Sequence, residues 1–207
     1  MAGPDAAFWQ QRFERGETPW DRGASSPQLA TWLAEGALRP GRIAVPGCGS
    51  GHEIETLARA GFSVTGLDYA AAAISITRQR LARAGLSADV QHADVLAWLP
   101  VTPLDMAYEQ TCLCALHPDH WSAYAERLRR WLRPGGTLAV LAMQARREGA
   151  GEGRIEGPPY HVDINALRAL LPASHWDWSA PPYACVPHPA QGWFELGLLL
   201  RRRSGPV

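Results

Sequence analysis

Three glycines and one aspartate carry the clearest chemical signal in this chain. Gly47, Gly49 and Gly51 form a G-x-G-x-G turn directly after an apolar run, and Asp68 ends the next apolar run. A glycine turn leaves bare backbone against which a ligand can lie, because no Cβ intrudes. A carboxylate at the tip of the following strand can accept hydrogen bonds from both hydroxyls of a ribose. The spacing predicts a nucleotide-binding strand–turn–helix–strand unit, and the alternative is a tight turn without a ligand.

The glycine spacing also separates two kinds of nucleotide cofactor. Dinucleotide-binding units usually read G-x-G-x-x-G and hold a pyrophosphate at the helix N-terminus. Here Gly51 comes one residue earlier, and His52 and Glu53 follow it. An acid at the mouth of the helix repels a pyrophosphate, whereas it suits a cofactor with a cationic amino group and a sulfonium. The pattern therefore disfavours a nicotinamide dehydrogenase.

Composition narrows the functional classes further. The 207 residues are enough for one domain with a sizeable core, and 20 basic and 20 acidic residues give a formal net charge of zero. That balance favours neither a nucleic acid nor an anionic membrane as a partner. No apolar run approaches the ~20 residues that span a bilayer, and the first residues lack the regions of a signal peptide. We therefore expect one domain over residues 1–207, in the cytoplasm, acting on a small molecule as a monomer or weak homodimer.

The four cysteines of the chain do not suggest a disulfide framework at this length. Cys112, Cys114, His117 and His120 could be read as metal ligands, but C-x-C-x2-H-x2-H is not a common structural zinc spacing. A loop and helix start beside the ligand pocket is the simpler interpretation, and we expect no metal.

The elements that must position these residues alternate between strand and helix. Periodicity and turn residues predict strands at 42–45, 62–67, 89–92, 104–108, 137–143, 176–179 and 193–200, and helices at 6–15, 26–35, 53–60, 69–84, 118–132 and 163–171. This alternation predicts an α/β fold with a seven-stranded, mostly parallel sheet and helices on both faces. The last two strands have no helix between them and should form an antiparallel hairpin. The glycine-rich stretch 146–157 should be a mobile surface loop.

Several separated segments together resemble one enzyme family. They are Trp9 with G-x-T-P-W-D at 16–21, V-P-G-C-G-x-G-H-E at 45–53, G-L-D-Y at 66–69 and G-P-P-Y-x-V at 157–162. The second segment looks like motif I of the class I S-adenosylmethionine (SAM) methyltransferases. The whole set resembles the thiopurine S-methyltransferase family, most closely its halide/thiocyanate (thiol) methyltransferase branch, over roughly residues 5 to 200. The resemblance implies a Rossmann-like core over residues 41–207 and an N-terminal helical lid over 1–40.

The resemblance also implies roles for individual residues. Trp20 would pack on SAM, Asp68 would bind the ribose and Asp94 would meet the adenine amino group. Trp9 would help to close the site, and Tyr160 would lie over the acceptor pocket. The complete set of implied cofactor contacts is Trp20, Gly47, Cys48, Gly49, Gly51, Asp68, Tyr69, Asp94, Val95 and Glu109, and the implied catalytic residues are Trp9, Glu109 and Tyr160.

The reaction implied is transfer of a methyl group from a positive sulfur to a thiol, thiocyanate, selenium or halide acceptor. An acceptor that is already anionic needs no general base, and alignment alone can be worth ~7–11 kcal/mol. Two alternatives stay open: an O- or N-methyltransferase with His117 or His161 as base, and a SAM-binding protein without catalysis. Arg146, Arg147 and Arg154 could hold an anion or could simply be solvated charges.

Overall fold

The computed structural model describes residues 3–147, 149, 154–189 and 192–205, so part of the predicted loop at 146–157 lies outside the described residues. The helices are α1 (Ala6–Arg15), α2 (Pro27–Ala34), α3 (His52–Arg59), α4 (Ala71–Ala84), α5 (Trp121–Trp131) and α6 (Ile164–Leu170). The strands are β1 (Arg42–Pro46), β2 (Ser63–Asp68), β3 (Asp89–His92), β4 (Leu104–Gln110), β5 (Leu132–Gln144), β6 (Trp176–Trp178), β7 (Ala184–Pro187) and β8 (Phe194–Arg202).

The described strands form one sheet in the order β3-β2-β1-β4-β5-β8-β6, and β7 pairs with β8 beside β6. Strands β1 to β5 run parallel, whereas β8 is antiparallel to β5, β6 and β7. The predicted Rossmann-like, mostly parallel sheet and its C-terminal antiparallel hairpin are confirmed. Strand β7 is an eighth strand that the sequence did not predict, because prolines at 182 and 187 bound its four residues. Proline is tolerated there because β7 lies at an edge of the sheet.

Helices cover both faces of the sheet, as predicted. Along β5, Leu138 and Val140 face a core cluster that includes residues of α5 and α6, whereas Ala139 and Leu141 face a cluster that includes residues of α2, α3 and α4. A strand buried on both faces must be apolar at nearly every position, and this explains its long hydrophobic run. None of the described helices is long and apolar enough to cross a membrane.

The N-terminal helix is fastened to the sheet helices through polar contacts. Asp5 begins α1 by accepting a hydrogen bond from the Phe8 N–H at 2.9 Å, and Gly16 ends the helix in the left-handed conformation at φ 66°. The Gln10 side chain then accepts the Ala72 N–H at 3.0 Å, in the first turn of α4. Helix α1 is thereby held next to the residues that follow Asp68.

Candidate active site

A cavity of about 610 Å³ opens at the carboxyl edge of the parallel strands. Ligand sites in open α/β sheets lie at this edge, where loops from neighbouring strands meet. Because β8 runs antiparallel, its beginning lies at the same edge as the end of β5. Lining residues therefore follow the strand order: Asp94 after β3, Asp68 after β2, Gly47 after β1, Thr111 after β4, Arg147 after β5 and Trp193 before β8.

The glycine turn presents bare backbone to this cavity. Gly47 has a φ of +61°, and a Cβ placed on it would lie 3.0 Å from the Cβ of Cys112. Gly49 has a φ of +53°, and its carbonyl accepts a hydrogen bond from the Thr77 hydroxyl at 2.8 Å. Both glycines line the cavity, as expected, and the turn is a preformed cradle rather than a flexible link.

Asp68 joins the turn to the second strand. Its Oδ2 accepts the Gly49 N–H at 2.9 Å and its Oδ1 accepts the Ala70 N–H at 2.8 Å. Burial raises the pKa of this carboxyl above its ordinary value, although the backbone hydrogen bonds from Ala70 and Gly49 oppose the rise. Each carboxylate oxygen has a further lone pair, so Asp68 can hold the turn in place and still accept hydroxyls of a ligand in the cavity.

The end of the cavity at β2 and β3 is acidic. Asp94 lines it and accepts a backbone N–H two residues later at 2.8 Å, and Val95 beside it is buried. Tyr69 is 37% exposed, and its pKa is raised by burial and by the charges of Asp94 and Asp5. Asp94, Val95 and Tyr69, which the sequence predicted for this end, line the cavity together with Asp5.

Aromatic side chains from the N-terminal segment cover the glycine turn. The rings of Trp9 and Trp20 meet edge to face at 5.5 Å, and Phe13 meets Trp20 at 6.0 Å. Phe13 also approaches the turn, since a Cβ on Gly49 would lie 3.6 Å from its ring. The sequence prediction included Trp9 and Trp20 but missed Phe13 as a site residue. Its position four residues after Trp9 places both on one helix face and could have identified it.

A histidine–carboxylate contact and an ion pair hold the loop that carries Trp20. The Oδ1 atom of Asp21 lies 3.1 Å from Nε2 of His52, the first residue of α3. Arg22 donates to the buried carboxylate of Glu195 on β8 at 2.9 Å. The lid loop is therefore fixed both to the helix after the glycine turn and to the far strand of the sheet.

The other end of the cavity, at β5 and β8, carries cations and aromatic rings. The guanidinium of Arg147 lies 5.3 Å over the ring of Trp193, and its Nη2 donates to the Pro158 carbonyl at 3.2 Å. The ring of His117 packs edge to face on Tyr160 at 5.5 Å. The lining here also includes Cys112, Cys114, His120, Met143, Gly157, Pro159 and His188.

Two residues predicted from motif I do not reach the cavity wall among the described residues. Cys48 is buried beneath the turn, and its Sγ would lie 3.4 Å from a Cβ on Gly66 of β2. Gly51 has a φ of +77°, and a Cβ there would lie 2.6 Å from Cγ2 of Thr77. Both positions support the turn from behind, and their contact with a cofactor stays a prediction.

Glu109 and Tyr160 also lie behind the described lining. Glu109 is fully buried and accepts the Leu113 N–H at 2.7 Å, which closes the turn after β4. Burial, with a smaller contribution from the Glu195 charge, raises its pKa to about 7, and the Leu113 hydrogen bond opposes the rise. The backbone N–H of Tyr160 donates to the Cys114 carbonyl at 2.7 Å, and its ring supports His117. Neither side chain is among those that line the described cavity, and their direct role in catalysis stays a prediction.

Within the described part of the chain, no group of three or more histidines, cysteines and acids is arranged to hold a metal ion. Cys112, Cys114, His117 and His120 instead lie separately along the cavity wall.

Comparison with known proteins identifies the chain. The family model for thiopurine S-methyltransferase matches residues 4–180. The chain belongs to the thiopurine S-methyltransferase family. It is 29% identical to "Probable thiol methyltransferase 2" of Arabidopsis thaliana over 95% of this chain and 86% of that protein. It is 30% identical to a thiopurine S-methyltransferase of Gluconobacter oxydans, over 81% of this chain and 80% of the relative.

Solved structures agree with the fold of this thiopurine S-methyltransferase family member. An N1-methyltransferase of Burkholderia thailandensis, with bound 1,6-didemethyltoxoflavin and S-adenosylhomocysteine, superposes with a TM-score of 0.75 at 20% identity, over 96% of this chain and 87% of that one. Magnesium protoporphyrin IX methyltransferase of Synechocystis PCC 6803, with bound SAM, gives 0.72 at 15% identity, over 99% and 100%. The protein is a SAM-dependent methyltransferase.

The residues present fit this cofactor. The cradle at Gly47 and Gly49 is open because neither residue has a Cβ, and Asp68 keeps acceptor capacity toward the cavity. The acids of the β2–β3 end suit a ligand with cationic groups. The cavity volume also lies within the range of cofactor-sized pockets.

Proposed function

We propose that this enzyme transfers the methyl group of SAM to a small anionic acceptor: a thiolate, thiocyanate, a selenium analogue or a halide. The division of charge along the cavity carries this proposal. The acids Asp68 and Asp94 line the cavity where β2 and β3 end, together with Asp5, whereas the arginine Arg147 lines it after β5. A cationic cofactor and an anionic acceptor would each meet the complementary charge. Relatives from Arabidopsis thaliana named as thiol and thiocyanate methyltransferases support the same acceptor class.

The site residues have separate roles in this proposal. Gly47 and Gly49 would cradle the cofactor, Asp68 would accept the ribose hydroxyls and Asp94 would meet the adenine amino group. Tyr69 and Val95 would flank the nucleoside, and Trp9, Phe13 and Trp20 would close the lid formed by residues 1–40 over the core at 41–207. Cys48, Gly51 and Glu109 would act indirectly by shaping the turns behind the cofactor.

When bound, SAM supplies a methyl group on a positively charged sulfur, and in-line transfer to an anion cancels both charges. The protein's part is to align the acceptor and to keep water out. The aromatic lid over the glycine turn excludes water, which strengthens the electrostatic interactions that remain inside. No proton transfer is needed for an acceptor that arrives ionised.

The base-dependent alternative names His117 or His161, and of the two His117 lines the described cavity. Its Nδ1 lies 3.3 Å from Oδ2 of Asp119, an arrangement that could orient a base toward the cavity. The same Nδ1 also lies 3.3 Å from the Asp119 N–H, which donates to it. A neutral ring that accepts at Nδ1 carries its proton on Nε2 and presents a donor, not a base. This geometry favours an anionic acceptor over a phenol or an amine.

We further propose that the enzyme works in the cytoplasm as a monomer or weak homodimer, without nucleic acid or membrane partners. The zero net charge of the sequence supports this assignment. Light scattering after size-exclusion chromatography should return the mass of one chain at micromolar concentration, and a stable larger mass would contradict it.

Calorimetric titration with SAM, followed by product detection on an acceptor panel, tests the function. We expect SAM binding and methylation of hydrosulfide, thiocyanate, iodide or an aryl thiol, with no product from a phenol or an amine. Methylation of the phenol or amine alone would favour the His117 alternative, and binding without any product would favour a non-catalytic protein.

Asp68→Asn tests the assignment of the cofactor end. A hydrogen bond to a charged group contributes about 1.5–3 kcal/mol, so SAM affinity should fall about ten- to a hundred-fold. Asp177→Asn is the matched control, because Asp177 lies on β6 and pairs with Arg203 at the surface. Equal SAM affinity in both variants would remove Asp68 from the site.

A further inference from the structure

Arg147 brings a charge to the cavity wall that the described residues do not neutralise. It is half-buried, its Nε–H is buried without an acceptor, and no acid of the described chain lies within ion-pair distance of it. Its guanidinium is held by the Pro158 carbonyl and the Trp193 ring, neither of which carries a charge. Charges taken out of water are costly unless they are paired. The position therefore favours an anion that arrives with a ligand.

The other arginine of the described cavity lining differs in this respect. Arg12 lies 3.8 Å from the Glu17 carboxylate, so the protein itself supplies an acidic neighbour. Arg147 contacts instead the Trp193 ring and the Pro158 carbonyl, which are uncharged.

The position of Arg147 along the sheet indicates what it would bind. It follows β5, and β4 separates β5 from the glycine turn after β1. Neighbouring strands lie ~4.8 Å apart, so the backbone of Arg147 is roughly 10 Å along the edge from that of Gly47. Trp193 precedes β8, on the far side of β5, and draws the guanidinium away from the turn. A group bound there lies away from the glycine turn that would cradle the cofactor.

We propose that the acceptor carries a carboxylate in addition to its nucleophilic sulfur, and that Arg147 binds this carboxylate. The inference rests on the proposed S-methyltransferase function and specifies its substrate class as a thiol acid. A planar guanidinium matches a carboxylate through paired N–H donors. Because Arg147 follows β5, two strands along the edge from the glycine turn, the spacer between sulfur and carboxylate should be longer than a single methylene, and an aromatic ring supplies such a spacer.

Three thiols and three variants test the proposal. The thiols are 4-mercaptobenzoate, thiophenol and mercaptoacetate, each assayed with SAM at a pH where the two aryl thiols are ionised. For the wild type, kcat/KM for 4-mercaptobenzoate should exceed that for thiophenol about ten- to a hundred-fold. Mercaptoacetate, which carries the charge without the length, should show no such advantage.

In R147Q the preference for 4-mercaptobenzoate over thiophenol should fall to within about threefold, and R147K should restore only part of it because lysine lacks the planar fork. R146Q is the matched control, since Arg146 is exposed and does not line the cavity, and it should keep the full preference. Calorimetry with SAM and circular dichroism on each variant establish that the fold is intact.

The role of Arg147 and the proposed function are refuted by different results. Methylation of thiophenol without any carboxylate preference, or an equal preference in wild type and R147Q, would overturn the role of Arg147 and leave the S-methyltransferase function standing. SAM binding without methylation of any thiol, of thiocyanate or of iodide would overturn the proposed function itself.

Discussion

The two ends of the cavity are built in different ways. Apart from Asp5 and the aromatic lid, the cofactor end, from β1 to β3, comes from one continuous stretch of chain in which Gly47, Asp68 and Asp94 lie at or after strand ends. The acceptor end, from β4 to β8, is assembled from segments far apart in sequence: Thr111 to His120, Arg147, Gly157 to Pro159, and His188 with Trp193. Local backbone geometry specifies the cofactor end, whereas the tertiary packing of distant loops specifies the acceptor end.

This difference predicts different tolerance to substitution. At the cofactor end, the ligand lies against main chain that must follow one path, so small changes in the turn should be costly. At the acceptor end, side chains form the surface, so substitutions should change which acceptor binds while the fold and the cofactor site persist.

Gly51→Ala should be the most destabilising change at the cofactor end. Its φ of +77° disfavours any side chain, and the new Cβ would lie 2.6 Å from Cγ2 of Thr77. Left-handed backbone costs about 1–2 kcal/mol and overpacking about 1–3 kcal/mol, so unfolding in urea should show a loss of about 2–5 kcal/mol.

Gly85→Ala is the control for that measurement. Gly85 has a φ of +65° but nothing within 4 Å of the new Cβ, so only the backbone cost of about 1–2 kcal/mol should appear. Equal losses at Gly51 and Gly85 would mean that the turn relaxes easily, and the contrast between the two ends would weaken.

Glu109, at the boundary between the ends, should control stability rather than chemistry. Burial raises its pKa from 4.5 to about 7 in the folded protein. Because the folded pKa is the higher, the stabilising contribution is complete below pH 4.5 and is lost as the pH rises through 7. Relative to Glu109→Gln, the wild type should lose about 3 kcal/mol of unfolding free energy over that interval.

Glu126→Gln should change the pH dependence of the unfolding free energy in the opposite direction. The Arg129 hydrogen bond lowers the pKa of the surface carboxyl of Glu126, so its contribution is present above its ordinary pKa and lost on acidification. Denaturant titrations between pH 4 and 8 compare the two variants. A Glu109→Gln variant with wild-type pH dependence of stability but no activity would instead assign Glu109 to the reaction.

Trp20 and Trp193 should separate the two ends functionally. Trp20→Ala removes an aromatic ring of the lid over the glycine turn. The affinity for SAM should fall up to about tenfold, on the scale of about 0.5–1.5 kcal/mol for an aromatic pair.

Trp193→Ala removes the ring that contacts the Arg147 guanidinium. The KM of an aryl thiol should rise several-fold, with unchanged SAM affinity. Calorimetry and steady-state kinetics on both variants distinguish them. Parallel changes in both quantities would mean that the cavity behaves as one unit.

The same difference explains what the sequence could predict. Gly47, Gly49, Asp68 and Asp94 were found because each follows a strand whose period is visible in the sequence. Cys48, Gly51 and Glu109 belong to the right segments, but a motif does not say which side chains face the ligand and which face the core. Phe13, Thr111 and Trp193 reach the cavity only through tertiary packing.

Strand β7 was not predicted, because its four residues show no strand pattern of their own. Its pairing with β8 depends on the topology of the sheet. Local sequence could therefore predict the cofactor end and the central sheet, whereas the acceptor end needed the structure.

Tyr160→Phe should have the smallest effect on activity of the variants considered. It tests whether a side chain behind the acceptor end takes part in the reaction. The resemblance implied a catalytic tyrosine, but the ring lies behind His117, and the residue's hydrogen bond to Cys114 uses the backbone N–H, which phenylalanine retains. With the ring and the backbone contact preserved, kcat for an aryl thiol should stay within about threefold of the wild type, equivalent to about 0.6 kcal/mol. A loss of a hundred-fold or more with normal SAM binding would place the hydroxyl on the reacting acceptor, and the side chain would then have to turn toward the cavity in the working enzyme.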